Sequence, residues 1–151
     1  MINSIDIAVE LVRSQGHVNV TASHRSTIEI TRDDYLTPLG DCIVGVKADK
    51  APRDFSERFK QLAKDDNSII LVIFLTENNM DVVLGRGSKD LLFTNDRKMI
   101  IRKSSYVDDA TVVVNASKAA IELSRKLVED LVNGSFLYTI FIVFRMARST
   151  R

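Results

Sequence analysis

The chain has 151 residues, 45% hydrophobic and 27% charged, with 21 Lys and Arg against 20 Asp and Glu. That length and balance describe a single globular domain, residues 1–151, and a net charge of +1 excludes a molecule drawn as a whole to nucleic acid or to a membrane by its field. Its one cysteine, Cys42, excludes an internal disulfide and suits a reducing cytoplasm; the opening residues lack the order of a signal peptide, and the apolar run from Phe136 to Phe144 is too short for a membrane helix.

Ile5, Ile7, Val9 and Leu11 alternate with Asp6, Ala8 and Glu10, the period of a strand over residues 4–13. After Gly16, Val18, Val20 and Ala22 alternate with His17, Asn19 and Thr21, which predicts a second strand. Ile28 and Ile30 set against Thr27, Glu29 and Thr31 predict a third in succession. Residues 33–41 hold the Asp, Pro and Gly of a turn, and 42–48 read as a fourth strand. Phe55, Phe59 and Leu62 then recur at helical spacing, so an amphipathic helix is expected over 51–65, with Asp49 as N-cap and Pro52 in its first turn.

Residues 68–77 are β-branched and aromatic with no polar alternation, as expected of a strand covered on both faces. Residues 80–87 and 90–93 read as a hairpin or bulged strand around Gly85 and Gly87, and 98–106 and 110–116 as two more strands. A second amphipathic helix is predicted over 117–133, with Ser117 as N-cap and Gly134 as its stop. A last, well-covered strand follows at 135–144. The expected fold class is α+β: a β-rich, sandwich-like or barrel-like domain of about eight to nine strands with two amphipathic helices.

Residues 44–62 and 112–130 align without gaps at an offset of 68, matching Val44, Val46, Ala48, Lys50, Ala51 and Ser56 with Val112, Val114, Ala116, Lys118, Ala119 and Ser124. In both places strands lead into a helix and then an apolar strand. The pattern predicts an internal duplication of a strand–helix–strand unit, with pseudo-repeats of approximately 1–75 and 76–146.

Three segments occur in order: Gly16-His17-x-Asn19-x-Thr21-Ala22-x-His24, then Leu36-Thr37-Pro38-x-Gly40-Asp41-Cys42-Ile43-x-Gly45-Val46-x-Ala48-Asp49-Lys50, then Arg102-Lys103-Ser104. Through them most of the chain resembles an uncharacterised archaeal family, domain of unknown function 371. It departs from that family at Leu39, where a basic residue is usual, and at Ser117, where an acid is. The resemblance implies an archaeal cytosolic protein with a β-rich, sandwich-like fold, and brings no activity, cofactor or catalytic residue.

The functional reading therefore comes from the residues. Strand parity would point His17, Asn19 and Thr21 one way, with Glu29 on the next strand, gathering an imidazole, an amide, hydroxyls and a carboxylate. Arg102 and Ser104 would share a strand face, a fork-like donor beside a hydroxyl where an anion could sit. With Lys50 as a second cation, the expected ligand-binding set is His17, Asn19, Thr21, Glu29, Lys50, Arg102 and Ser104. His17, His24, Glu29 and Asp41 are not brought together by parity, so no metal site is expected. Cys42 reads as a buried, inert core residue.

The leading reading is binding of, or chemistry on, an anionic small molecule or nucleotide, and the residues do not decide between binding and catalysis. A second is an RNA-binding or ribonucleoprotein accessory module using Arg86, Lys89, Arg102, Lys103, Arg145, Arg148 and Arg151. A third is an interaction subunit, a homo-oligomer in which the C-terminal strand pairs with another copy.

Overall fold

The computed structural model describes residues 4–147. Eight strands form two four-stranded sheets. Sheet A has the order β1 (Ile5–Gln15), β8 (Phe136–Met146), β4 (Ile69–Leu75), β5 (Met80–Arg86), antiparallel throughout. Sheet B has the order β3 (Ile43–Gly45), β2 (Thr27–Thr31), β6 (Lys98–Arg102), β7 (Thr111–Val113), with an antiparallel centre and parallel outer pairs. Two helices, α1 (Glu57–Ala63) and α2 (Arg125–Val132), complete an α+β domain of sandwich-like layers. The core holds an aromatic cluster in which the Phe55 ring lies 5.3 Å from Phe59, 5.5 Å from Phe141 and 5.8 Å from Phe93. Alpha-helix α1 packs on β1 and β8, so the cluster joins helix to sheet A.

The two halves carry the same order of elements, three strands, a 3-10 turn, a helix and a strand. Both sheet orders also read the same when the halves are exchanged. Matching bonds recur at the corners. Gln15 bridges to Val46 as Arg86 does to Val114, and Gly16 N–H donates to Ser135 O at 2.8 Å as Gly87 N–H does to Ser68 O at 3.1 Å. A buried carboxylate on the first strand of each half binds a lysine and a helix-cap amide. Glu10 takes Lys50 Nζ at 2.8 Å and Ser56 N–H at 2.6 Å; Asp81 takes Lys118 Nζ at 2.5 Å and Ser124 N–H at 2.7 Å.

These carboxylates explain why both helices are shorter than their periodicity. The expected helix 51–65 is a 3-10 turn at Pro52–Asp54 followed by α1, and the expected 117–133 is a 3-10 turn at Ala120–Glu122 followed by α2. Phe55 and Leu123 break the run with extended ψ of 149°. The N-caps are Ser56 and Ser124, whose hydroxyls accept Phe59 N–H and Leu127 N–H. Asp49 and Ser117 are not caps: they accept Arg13 N–H and Leu84 N–H, stitching the corner to the first strand of each half.

Three strand expectations also change. Residues 16–26, which include the strand expected from His17 to Ala22, form a loop, as do 87–97, which include the expected strand at 90–93. A side chain at Gly16 or Gly87 would overlap the backbone of Leu131 or Ala63, so the chain leaves sheet A where it meets the helix end, and left-handed φ at Ala22 (46°) and Phe93 (54°) breaks any ladder. Strands β4 and β8 were expected to be covered on both faces, yet their burial alternates. One row across the outer face of sheet A is Val9, Ile142, Leu71 and Leu84, with Val9 55% and Leu84 49% exposed. The β8 strand lies between β1 and β4, so both its edges are taken and it cannot pair with another copy.

Candidate functional site

The corner where β1 leaves sheet A has one polar cleft. The Gly16 backbone is fixed against the C-terminal end of α2, and the next residue, His17, starts a tight turn in which its Nδ1 accepts Asn19 N–H at 3.0 Å. With Nδ1 an acceptor, the ring proton sits on Nε2. Asn19 Nδ2 donates to Leu36 O at 2.8 Å and locks the turn to the chain ahead of β3. From the other side, the Gln15–Val46 bridge brings in Lys47, held at a left-handed φ of 55° with its N–H on Asp33 O at 2.8 Å.

His17, Lys47, Asp34, Gln15 and Asn133 thereby line a cavity of about 420 Å³. Among the described residues no carboxylate pairs with Lys47. An adjoining cavity of about 640 Å³ shares Asn133 and Gly134 and adds Glu77, Asp130, Phe136 and Tyr138. Hydrogen bonds from Asn79 Nδ2 at 2.7 Å and Thr76 Oγ1 at 2.6 Å hold the Asp130 carboxyl below the usual carboxylate range. Gly134, at φ 85°, ends α2 as expected and turns the chain between the two cavities. The cleft thus has a donor end at His17 and Lys47 and an acceptor-rich end with two aromatic rings.

Of the expected residues, only His17 lines these cavities. Asn19 shapes the His17 turn, and Thr21, exposed, bonds to Ser23 Oγ at 3.1 Å. Lys50 is taken by Glu10, a carboxylate only 7% exposed. Arg102 donates to Thr111 Oγ1 and Asp108 at 2.8 and 2.9 Å and stacks over Tyr106, so its charge is spent on the scaffold. The β6 strand ends at Arg102, so Ser104 does not share its face; Ser104 Oγ accepts Tyr106 N–H instead. His24 is occupied too, with Nδ1 accepting Ser26 N–H and Thr27 N–H at 3.1 Å. Among the described residues no three His, Cys, Asp or Glu side chains converge on a metal position.

Glu29 and Cys42 form a separate pair on sheet B, with Sγ 3.9 Å from Oε1. Cys42 is half-buried rather than buried, and desolvation followed by the Glu29 charge pushes its thiol up to about 11, which keeps it protonated. Burial also raises Glu29 above its ordinary value, against the attraction of Lys98. A raised carboxyl gives stability that is complete below its unfolded value and lost as pH rises through the folded one. Glu29→Gln is therefore expected to raise stability at pH 7 and to leave it nearly unchanged below about pH 4, as urea unfolding at both pH values would read.

Sequence reasoning missed Lys47, Asp34 and Asn133. Lys47 sits at the variable position of Val-x-Ala, and its placement depends on a left-handed backbone shared with Asn115 (φ 51°) of the second half. Asparagine favours that conformation, so the alignment of Lys47 with Asn115 was the one available signal. At the second corner, Arg86 and Asn115 line a smaller cavity of about 260 Å³, and Ser88 stands where the first half has His17. The two corners therefore differ at the cleft.

A two-sheet α+β protein with a small polar cleft at the corner where β1 leaves its sheet is the class these features define. The chain belongs to the family described as Domain of unknown function (DUF371), whose model matches residues 12–144. It is 42% identical over 133 residues to an uncharacterised protein of Methanocaldococcus jannaschii, an alignment covering 88% of this chain and 98% of that protein. No described helix is long and apolar enough to cross a membrane.

Proposed function

We propose that the His17–Lys47 cleft binds a small molecule with one weakly anionic end and one aromatic, donor-rich end, the combination found in a nucleoside monophosphate. The observation that carries this is a pair of donors, the His17 ring N–H and the Lys47 ammonium, on the wall of one cavity with no carboxylate pairing Lys47 among the described residues. Phe136 and Tyr138 offer faces for a planar group, and Asp130 and Glu77 accept from amine or hydroxyl donors. Asp34 and the carbonyl end of α2 oppose a high negative charge, which favours one phosphate over three.

This reading relocates the site and keeps His17 from the expected set. Glu29 lies with Cys42 and lines neither cavity, which favours binding over a His17–Glu29 proton relay. The RNA reading has less support: Arg102, Lys103 and Arg145 are spent on Asp108, on Glu122 and on Asp6 with Asp65, which leaves Arg86 and Lys89. Arg148 and Arg151 lie outside the described residues. A cytoplasmic setting and descent of the two halves from one duplicated unit belong to the same proposal; the recurrent corner bonds support the second.

The test is a thermal-shift series with nucleoside mono-, di- and triphosphates, followed by calorimetry. A monophosphate at ~100 times its dissociation constant would add about 2.7 kcal/mol, and the triphosphate is expected to bind more weakly. Equal silence from all three would reject the nucleotide reading.

A further inference from the structure

The outer face of sheet A is apolar where a solvated sheet face would be polar. Next to the row already described lies a second, Leu11, Ile140, Ile73 and Val82. Among the described residues no helix or strand covers these rows, and Ile7, Leu11 and Met80 at the edges are 56%, 48% and 60% exposed. Beta-strands apolar on both sides belong to sheets buried on both sides. The described residues supply a cover for only one.

We propose that the outer face of sheet A is the interface of a homodimer in which two copies stack these faces against each other. Area supports this occupant. Four strands at ~4.8 Å spacing and lengths of roughly 24–37 Å give a face of roughly 580 Å², hence an upper bound of about 1,200 Å² for two copies, which reaches the threshold of stable association. A face of this size is at the upper end of the largest apolar patch that a monomer leaves open, and such patches are often interaction surfaces. Shape and charge agree. Two sheets of the same twist pack at about −30°, which brings the middle rows together and leaves the corners splayed. The charged side chains of the grid are at diagonal corners: Arg13 beside Tyr138 on β1, and Arg86 beside Ile69 on β5. Both stay at the rim in water, and the stacked centre contains no charge to desolvate. A net charge of +1 opposes pairing only weakly.

Sedimentation equilibrium of the full chain tests the assignment. The expected species has twice the 17.0 kDa chain mass, and Ile142→Glu, which places a carboxylate in the middle of the stack, should sediment at the single-chain mass after a loss of at least ~100-fold in dimer affinity. Circular dichroism reports whether Ile142→Glu remains folded. Should it unfold, Val9→Glu on the half-exposed edge strand gives the same reading without touching the core-facing side. A parent chain that is monomeric at about 50 µM (between four and five orders of magnitude above a nanomolar dissociation constant) would overturn the proposal, as would a folded Glu variant that still dimerises. A monomer that instead co-sediments with phospholipid vesicles would reassign the face to a membrane surface and also overturn it.

Discussion

Removing both cleft donors, with His17→Ala and Lys47→Ala in one chain, is expected to weaken nucleoside monophosphate binding by at least ~100-fold, because each hydrogen bond between a charged group and its partner contributes about 1.5–3 kcal/mol. The fold should be almost unaffected. Lys47 is exposed and His17 is half-buried in a loop, and polar side chains in such places usually change stability by only about 0.5 kcal/mol. The His17 ring also takes Asn19 N–H, so alanine releases that turn. His17→Asn separates the two effects, since its amide oxygen can take the same N–H while its own amide donors sit on a side chain too short to reach the position of the ring Nε2. Calorimetry should find both single variants weakened and the double variant weakest. Unchanged affinity in the double variant would place the ligand elsewhere, and the Arg86–Asn115 corner is the next cavity to examine.

How much of this was legible before the fold was known follows from which physical signals are local. Strands β1, β2, β4, β5, β6 and β8 stand out because β-branched and aromatic residues recur with period two or without interruption over five or more positions. The helices were visible in Phe55, Phe59 and Leu62 and in Leu123, Leu127 and Leu131, but their starts were not, because a carboxylate more than forty residues upstream decides each one. The His17 segment misleads for a different reason. Val20 and Ala22 are buried and so produce an alternation, yet Val18, which would share their strand face, is 72% exposed. Burial beneath a helix end can mimic the burial of a strand. Of the expected ligand set, Lys50 and Arg102 were chosen for their charge, and a sequence does not show that Glu10 and Asp108 cancel those charges. Conversely, the two-sided apolar character of β4 and β8 was legible, and the described residues cover only one side of each.

The largest loss of stability from a polar substitution is expected at Asp81. Its side chain is 9% exposed, and it holds Lys118 Nζ, Ser124 N–H and Val82 N–H together, tying β5 to the corner and to the cap of α2. Burial alone would push this carboxyl up; the Lys118 hydrogen bond and then the two amides outweigh burial and hold it below the usual carboxylate range. Asp81→Ala leaves two amides and a half-buried ammonium without their acceptor, and should cost about 3 kcal/mol by urea unfolding at pH 7. The pH dependence has a definite sign. A depressed carboxyl contributes stability that is present above its unfolded value of about 3.9 and is lost as pH falls through the folded value, so the gap between parent and Asp81→Asn should be full at pH 7 and close below about pH 4. Glu10 holds Lys50 and Ser56 N–H in the same arrangement in the first half, with 7% of its side chain exposed. If the two halves are energetically equivalent, Glu10→Ala should match Asp81→Ala to within about 1 kcal/mol, and the two losses should add, because the sites share no partner. A Glu10→Ala chain as stable as the parent would mean that the first corner is held by the Gln15–Val46 and Arg13–Asp49 bonds alone, and that the repeated geometry conceals an unequal division of the stabilising contacts.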